Sequence, residues 1–271
     1  MSGRAVSGGA ARAGSGRWLV RRRPPPDARA DLYCFPHAGG MPGEYARWAD
    51  HLPDVRVSAV QFPGRGSRPD EPPSTRMGAL VEALASQVTF GTDGVPFALF
   101  GHSLGALVAF EVVRALRSRG LRRPDLLCVS SCPAPPLSPV RERMHELPDG
   151  ELLAEIERRW GALPEQVRAD PDLLAPVLGR YRADFAVLET YEFEPGEPLD
   201  VPILALTGAD DGNRPERVRD WRRHTQGKFA FRVLPGGHFH FRERPGEAPR
   251  LVRAALVQQS STSGGVFAWT G

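Results

Sequence analysis

Lysine is almost missing from this chain of 271 residues: Lys228 is the one lysine among 35 basic residues, and the rest are arginine. The 32 acidic residues are interspersed with the arginines, the net charge is only +3, and no basic stripe interleaved with aromatics occurs. A nucleic-acid surface is therefore not expected, and the arginine preference reads as the mark of a GC-rich genome. The cluster Arg21-Arg22-Arg23 before Pro24-Pro25-Pro26 reads as a solvated lead-in. Cysteine is scarce too. Cys34, Cys128 and Cys132 are odd in number and form no CxxC pair, which argues against a disulfide framework or a zinc cluster and leaves packing as their role. No HExxH or paired histidine spacing suggests a metal, and Gly64-Arg65-Gly66 lacks the third glycine and following helix of a dinucleotide fingerprint. No apolar run approaches the length needed to cross a bilayer, so no membrane association is expected. Met1 to Gly16 has neither a continuous apolar core nor a small-residue cleavage site, so it does not read as a signal peptide and a cytoplasmic location is expected. Internal repeats and a central linker are absent as well. One domain over residues 16–260 is expected, with Gly/Ser-rich flexible ends at 1–15 and 261–271.

What the chain does have is alternation. Short β-branched or apolar runs at Leu32–Phe35, Val55–Gln61, Phe97–Phe100, Leu126–Ser130, Ile203–Thr207 and Ala230–Leu234 read as strands. Helical periodicity falls between or after them at Gly43–His51, Met77–Thr89, Leu104–Arg119, Arg217–His224 and Ala248–Gln259. That order predicts an α/β fold with a mainly parallel central sheet flanked by helices, and Trp18–Val20 adds a short edge strand. The stretch Ser138–Tyr191 breaks the pattern, being helical and punctuated by prolines, with Asp149 as a capping-type residue. It is too long for a connection and is expected to be an inserted helical lid over a site, at about 138–191; helices that merely pad the sheet are the competing reading.

The chemistry centres on Gly101-His102-Ser103-Leu104-Gly105, a G-x-S-x-G motif set between the apolar run Phe97–Phe100 and the helical run that follows. A strand must turn sharply into a helix there, and glycines two residues either side remove the Cβ atoms that would collide. The serine is lifted above the sheet at a helix N-terminus, where partial positive charge favours an alkoxide. An ordinary βα turn with a solvated serine is the bland alternative. A serine hydroxyl needs a base and an orienting acid, in the order Ser, acid, His for this arrangement. Asp210 and Asp211 follow the strand Ile203–Thr207 and are both candidates for the acid, whereas the loop Ser131–Pro135 offers no carboxylate. His238 follows Gly236-Gly237, which allow close backbone approach, and is favoured as the base over His240, which lies between two phenylalanines. For the oxyanion, the N–H of Leu104 is one donor, and the N–H of Ala38, in the loop Phe35-Pro36-His37-Ala38-Gly39-Gly40, is the other. His37, His102, Phe239 and His240 lie in these loops and are assigned to the substrate pocket, with packing as the competing role for the histidines.

Several ordered segments make the pattern specific: Cys34-Phe35-Pro36-His37-Ala38-Gly39-Gly40, Gln61-Phe62-Pro63-Gly64-Arg65-Gly66, Phe100 to Gly105, His145-Glu146-Leu147-Pro148-Asp149, Arg182-Ala183-Asp184-Phe185 and Pro235-Gly236-Gly237-His238-Phe239. With these the chain resembles, from about Trp18 to Val257, the type II or editing thioesterases of modular polyketide and nonribosomal peptide synthases, within the α/β-hydrolase superfamily. The resemblance implies hydrolysis of stalled or mis-primed acyl groups from the phosphopantetheine thiol of acyl or peptidyl carrier domains, met as transient partners, with no cofactor of the enzyme's own. It also implies the triad Ser103, Asp211 and His238, and a lid over the acyl chamber. The chain departs from the family pattern at Asp211-Gly212, commonly Asp-Pro, and at His240, usually an apolar aromatic. A small-molecule esterase or lipase acting on oxygen esters is the competing enzyme, and a binding partner with an idle site is the competing non-enzyme.

Overall fold

The computed structural model describes residues 16–136, 143–260 and Trp269. The expected flexible ends and positions 138–142 of the expected lid lie outside the described residues, except for Trp269, which packs against a core cluster. The strands are β1 Leu19–Arg21, β2 Ala30–Phe35, β3 Val55–Val60, β4 Phe97–His102, β5 Leu126–Ser130, β6 Ile203–Gly208 and β7 Phe229–Leu234. They form one sheet in the order β1-β3-β2-β4-β5-β6-β7. β1 runs antiparallel along β3 and every other pairing is parallel.

Residues of alternate parity on each strand supply two separate cores, as the two-residue period of a strand requires. Phe97 and Leu99 of β4 join Tyr33 and Phe35 of β2 on one face, while Ala98 and Phe100 join Leu32 and Cys34 on the other. Burial on both faces is why these strands read as continuous apolar runs. The helices are α1 Pro42–Ala46, α2 Met77–Gln87, α3 Leu104–Ser118, α4 Asp149–Trp160, α5 Glu165–Ala169, α6 Pro171–Glu189, α7 Pro215–Arg219, α8 His240–Glu243 and α9 Glu247–Ser260. Helices α2 and α3 cover the first face, and α1 and α9 cover the second.

Two expected helices are each divided. Gly43–His51 is α1 followed by a 3-10 turn over Arg47–His51, and Arg217–His224 is α7 followed by a 3-10 turn over Asp220–His224. Over five residues apolar spacing does not separate three residues per turn from 3.6. The edge strand starts one residue late: Trp18 lies outside it, buried, with its indole N–H on Gln87 at 2.9 Å.

From Arg143 to Tyr191 the described chain has helices α4, α5 and α6 and no strand. Met144, Leu152, Ile156, Leu178 and Phe185 form a small core of their own. Asp149 does not cap α4, whose N-cap is Pro148; its carboxylate accepts instead from Arg182 at 2.6 Å. The capping aspartate is Asp170, which accepts from the Asp172 N–H at 2.9 Å and opens α6.

Candidate active site

β4 ends at His102, α3 begins at Leu104, and Ser103 makes the whole reversal between them with φ 54° and ψ −120°. A non-glycine residue in that region is strained and must be held by its surroundings. Its N–H donates to the Ser130 carbonyl at 2.8 Å. Two glycines make the turn sterically possible. A Cβ on Gly101 would stand 2.1 Å from the Gly105 carbonyl oxygen, and one on Gly105 would stand 2.1 Å from that of Phe35. The N–H of Leu104 therefore sits in the first turn of a 15-residue helix, unused by the helix ladder and beside Ser103.

The loops after β6 and β7 approach each other just as closely. A Cβ on Gly208 would meet the Gly237 carbonyl oxygen at 2.1 Å, and the Asp210 N–H donates to the Gly236 carbonyl at 2.9 Å. The contact sets His238 Nδ1 at 3.2 Å and 3.3 Å from the two carboxylate oxygens of Asp211. The Asp211 side chain is 2% exposed, whereas Asp210 is an exposed residue. Burial alone would raise the Asp211 pKa, but hydrogen bonding and charge from His238, with bonds from Ser131 and the Asn213 N–H, outweigh it and hold the carboxyl below its usual 3.8. Asp211 thus stays ionised beside the imidazole.

Ser103, Asp211 and His238 share a cavity of about 560 Å3 with Leu104, Cys132 and Pro133, and Trp160 of α4 and Leu188 of α6 face the same space. Other cavities of about 510 Å3 and 620 Å3 are similar in size, but neither is lined by Ser103, Asp211 or His238. Chemistry, not volume, distinguishes the candidate site. After β2 the chain from His37 to Gly40 makes a tight turn closed by the Gly40 N–H on the His37 carbonyl at 2.9 Å.

None of the four residues assigned to the substrate pocket lines this cavity, and neither does Ala38, the expected second oxyanion donor. The four pack behind it. His37 bonds Tyr45 at 2.8 Å and stacks edge-on against Phe239 at 4.7 Å between centroids. The Ser130 hydroxyl bridges His102 Nδ1 at 3.0 Å and His240 Nε2 at 2.9 Å. Strand parity explains the placement: His102 shares the side of β4 that carries Ala98 and Phe100, and its ring lies 4.9 Å from that of Phe241 in the same core layer. Burial holds His37 and His102 well below 6.5 and pushes His240 down to about 4, so all three are neutral packing groups near pH 7.

Two residues near the acid had no sequence signal. Asn213 donates from its backbone at 3.1 Å and its side chain at 3.3 Å to Asp211 Oδ1, and from the same side-chain nitrogen to the Ser131 carbonyl at 3.1 Å. Ser131 is a second residue at positive φ, 50°, and its hydroxyl donates to the His238 carbonyl at 3.2 Å. The pair ties the β5, β6 and β7 loops together. Among the described residues no cluster of His, Cys, Asp and Glu could hold a metal ion, and no helix is long and apolar enough to cross a membrane.

Comparison with known proteins supplies the context. The family model described as Thioesterase domain matches residues 30–256. Thioesterase PikA5 of Streptomyces venezuelae is 40% identical over 232 residues, 85% of this chain and 82% of that protein. Gramicidin S biosynthesis protein GrsT of Aneurinibacillus migulanus is 34% identical over 229 residues, 84% of this chain and 89% of its own length. Among solved structures, the type II thioesterase BorB from the borrelidin biosynthetic cluster superposes with a TM-score of 0.75 at 35% identity, covering 89% of this chain and 96% of that one.

Proposed function

The chain belongs to the thioesterase family, a thioester hydrolase on the α/β-hydrolase fold, and on that premise we propose that it removes acyl groups from the phosphopantetheine thiol of carrier domains through Ser103, His238 and Asp211. Ser103 Oγ attacks the thioester carbonyl carbon while His238 Nε2 takes the hydroxyl proton. Asp211, bonded to His238 Nδ1, fixes the tautomer and stabilises the imidazolium. The N–H groups of Ala38 and Leu104 receive the oxyanion. Collapse expels the pantetheine thiolate, which takes the proton from His238, and leaves an acyl-Ser103 ester. Water, activated by the same imidazole, then releases the acid. The observation that carries this reading is the strained Ser103 sharing one cavity with a His238 held by a buried, ionised Asp211.

Family membership and relatives of the kind of PikA5, GrsT and BorB support the substrate: an acyl group stalled on a polyketide or nonribosomal peptide synthase, cleared by a discrete editing enzyme. The side chains named supply the whole reaction without a cofactor, the phosphopantetheine arriving with the partner. A carrier-borne substrate of that kind is met in the cytoplasm, and the helical segment over the cleft serves as the lid. Replacing Ser103 with Ala should lower thioester hydrolysis by about a thousandfold or more while circular dichroism stays unchanged. Matched acyl carrier thioesters and oxygen esters assayed side by side test the substrate class. Faster turnover of the oxygen esters would move the enzyme to the esterases, and full activity in the Ser103→Ala variant would remove the nucleophile.

A further inference from the structure

The turn from His37 to Gly40 is anchored by groups to which the catalytic steps assign no part. Its own hydrogen bond, Gly40 N–H to the His37 carbonyl at 2.9 Å, fixes the plane of the His37–Ala38 peptide. A trans peptide points its N–H opposite to its C=O, so the same bond sets the direction of the Ala38 N–H. The turn is gripped in addition from α6 and from the loop after β3. Asp184 Oδ2 accepts the Gly39 N–H at 2.7 Å, Arg65 donates to the Gly40 carbonyl at 3.0 Å, and Arg180 donates to the Gly39 carbonyl at 3.1 Å. Arg65 closes the ring by donating from Nη2 to Asp184 Oδ1 at 2.6 Å. The side chains of Arg65 and Asp184 are 0% and 4% exposed. Desolvating two charges is costly, and the pair offsets it by filling both carboxylate oxygens and both terminal guanidinium nitrogens, Arg65 Nε alone lacking a partner. Here each carboxylate oxygen has its own donor, one of them the backbone of the turn.

The approach leaves no slack. A Cβ on Gly39 would stand 2.3 Å from the ring of Tyr181, and Gly39 itself sits at φ 73°. Arg180 and Asp184 are four residues apart on α6, on one helical face, so the helix meets the turn along that face. We propose that Arg65 and Asp184 are positioning residues for the oxyanion hole, making the orientation of the Ala38 N–H depend on helix α6 being seated. This rests on the reading of Ser103 as nucleophile and deepens it. With α6 seated, both donors are aimed at the oxygen of the thioester carbonyl. With α6 lifted, the Gly39 N–H loses Asp184 and the Gly39 carbonyl loses Arg180 together, Arg65 loses its counter-charge, and acyl transfer is confined to the seated arrangement.

The test uses the full chain. Asp184→Asn keeps the size of the side chain and one acceptor but removes the charge that holds Arg65. Three quantities are read: kcat and KM on an acyl-pantetheine thioester, the Kd of the amide-linked analogue, and the Kd of phenylboronic acid, which becomes tetrahedral on Ser103 and places an oxygen in the hole. Expected is a loss of about tenfold to a hundredfold in kcat and, in parallel, in boronic-acid affinity, with KM and amide affinity within about twofold of the parent. The double variant Arg65→Gln, Asp184→Asn replaces both charges with amides and strands neither; it carries the same readouts should the single variant fail to fold. A folded variant with unchanged kcat and boronic-acid affinity, or with a raised KM and intact kcat, would overturn the proposal. A parent protein that binds the boronic acid at Ser103 yet leaves thioesters intact would sink the proposed function, and boronic-acid affinity alone would then decide the role of the clamp.

Discussion

The two sides of the cleft are built by different means. On the sheet side, Ser103, Asp211 and His238 stand on loops locked by main-chain bonds and by glycines with no room for a Cβ: the Ser103 N–H on Ser130, the Ser131 N–H on Leu206, the Ala209 N–H on Leu234. On the lid side, α4 and α6 have a core of few residues and reach the rest of the molecule through side chains. Arg65 with Asp184, Arg180 on the Gly39 carbonyl and Tyr191 with Glu111 are such ties, whereas His145 with Glu189 and Arg182 on the carbonyls of His145 and Leu147 bind the segment to itself. Main-chain ladders fix position at the first side, whereas long-range ion pairs allow a second arrangement at the other. An enzyme of the proposed kind, holding its nucleophile still while admitting a tethered acyl chain, would benefit from that division.

The sharpest break of the comparison is at the acid. Asp211→Asn should lower kcat by about a thousandfold or more with KM little changed, because the imidazole loses both its tautomer control and its counter-charge. Asp210→Asn, with an exposed side chain, should leave kcat within about twofold. The reverse result would move the acid back one residue, and indifference at both would place the orienting group elsewhere.

Next in size is the elbow. Gly101→Ala drives a Cβ to 2.1 Å from a backbone oxygen that cannot move without unwinding the start of α3. A loss of about 3 kcal/mol or more is expected, read as the shift in urea midpoint. A midpoint within experimental error of the parent would show that the sheet side yields as readily as the lid.

Acid should act on the sheet side as well. His37 and His102 lie well below 6.5 and His240 near 4, burial being the first cause in each. A histidine depressed in the folded state takes up a proton on unfolding, so the unfolded chain binds more protons and stability rises with pH. The contribution is complete above about 6.5 and drains away as pH falls from there towards about 4 for His240. The depressed Asp211 adds loss in the same direction, further down, as pH falls from its usual 3.8 through its folded value. The urea midpoint should therefore drop between pH 7.5 and pH 5, and His240→Leu should flatten the slope. A slope untouched by that substitution would assign the acid sensitivity to other groups.

The same division explains what could be read from the residues alone. Strand runs, the glycine-flanked serine and the histidine after Gly236-Gly237 are local signals, each written within a few residues, and they located the sheet and the loops that meet at its edge. The placement of His102 was also within reach, because counting alternate residues back from it gives Phe100 and Ala98, both on the buried second face. What stayed hidden depends on distant partners. Asp184 lies 119 residues from Arg65 and 145 from Gly39, and no periodicity marks a bond across that separation. Asn213, held to both Asp211 and the Ser131 carbonyl, carries no motif because its task is set by two loops at once.

The smallest effect distinguishes the two sides most cleanly. Gly179 lies in the interior of α6, exposed, with nothing within 4 Å of the position a Cβ would take and no positive φ to resist one. An alanine there should stabilise the helix by about 0.5–1 kcal/mol through lost freedom in the unfolded chain. If the lid opens on its own, that gain belongs to its local opening, and amide exchange within Pro171–Glu189 should slow by about twofold to fivefold. Amides of β4 that exchange only through global unfolding should slow by the same factor, because α6 is unfolded in that state as well, but they should start from stronger protection in the parent. Equal protection of both in the parent would mean that lid and sheet open as one unit. Weaker protection of α6 than of β4 in the parent, raised by the substitution, would instead make the lid a separate unit, held down by the few side-chain ties that the Arg65–Asp184 pair leads.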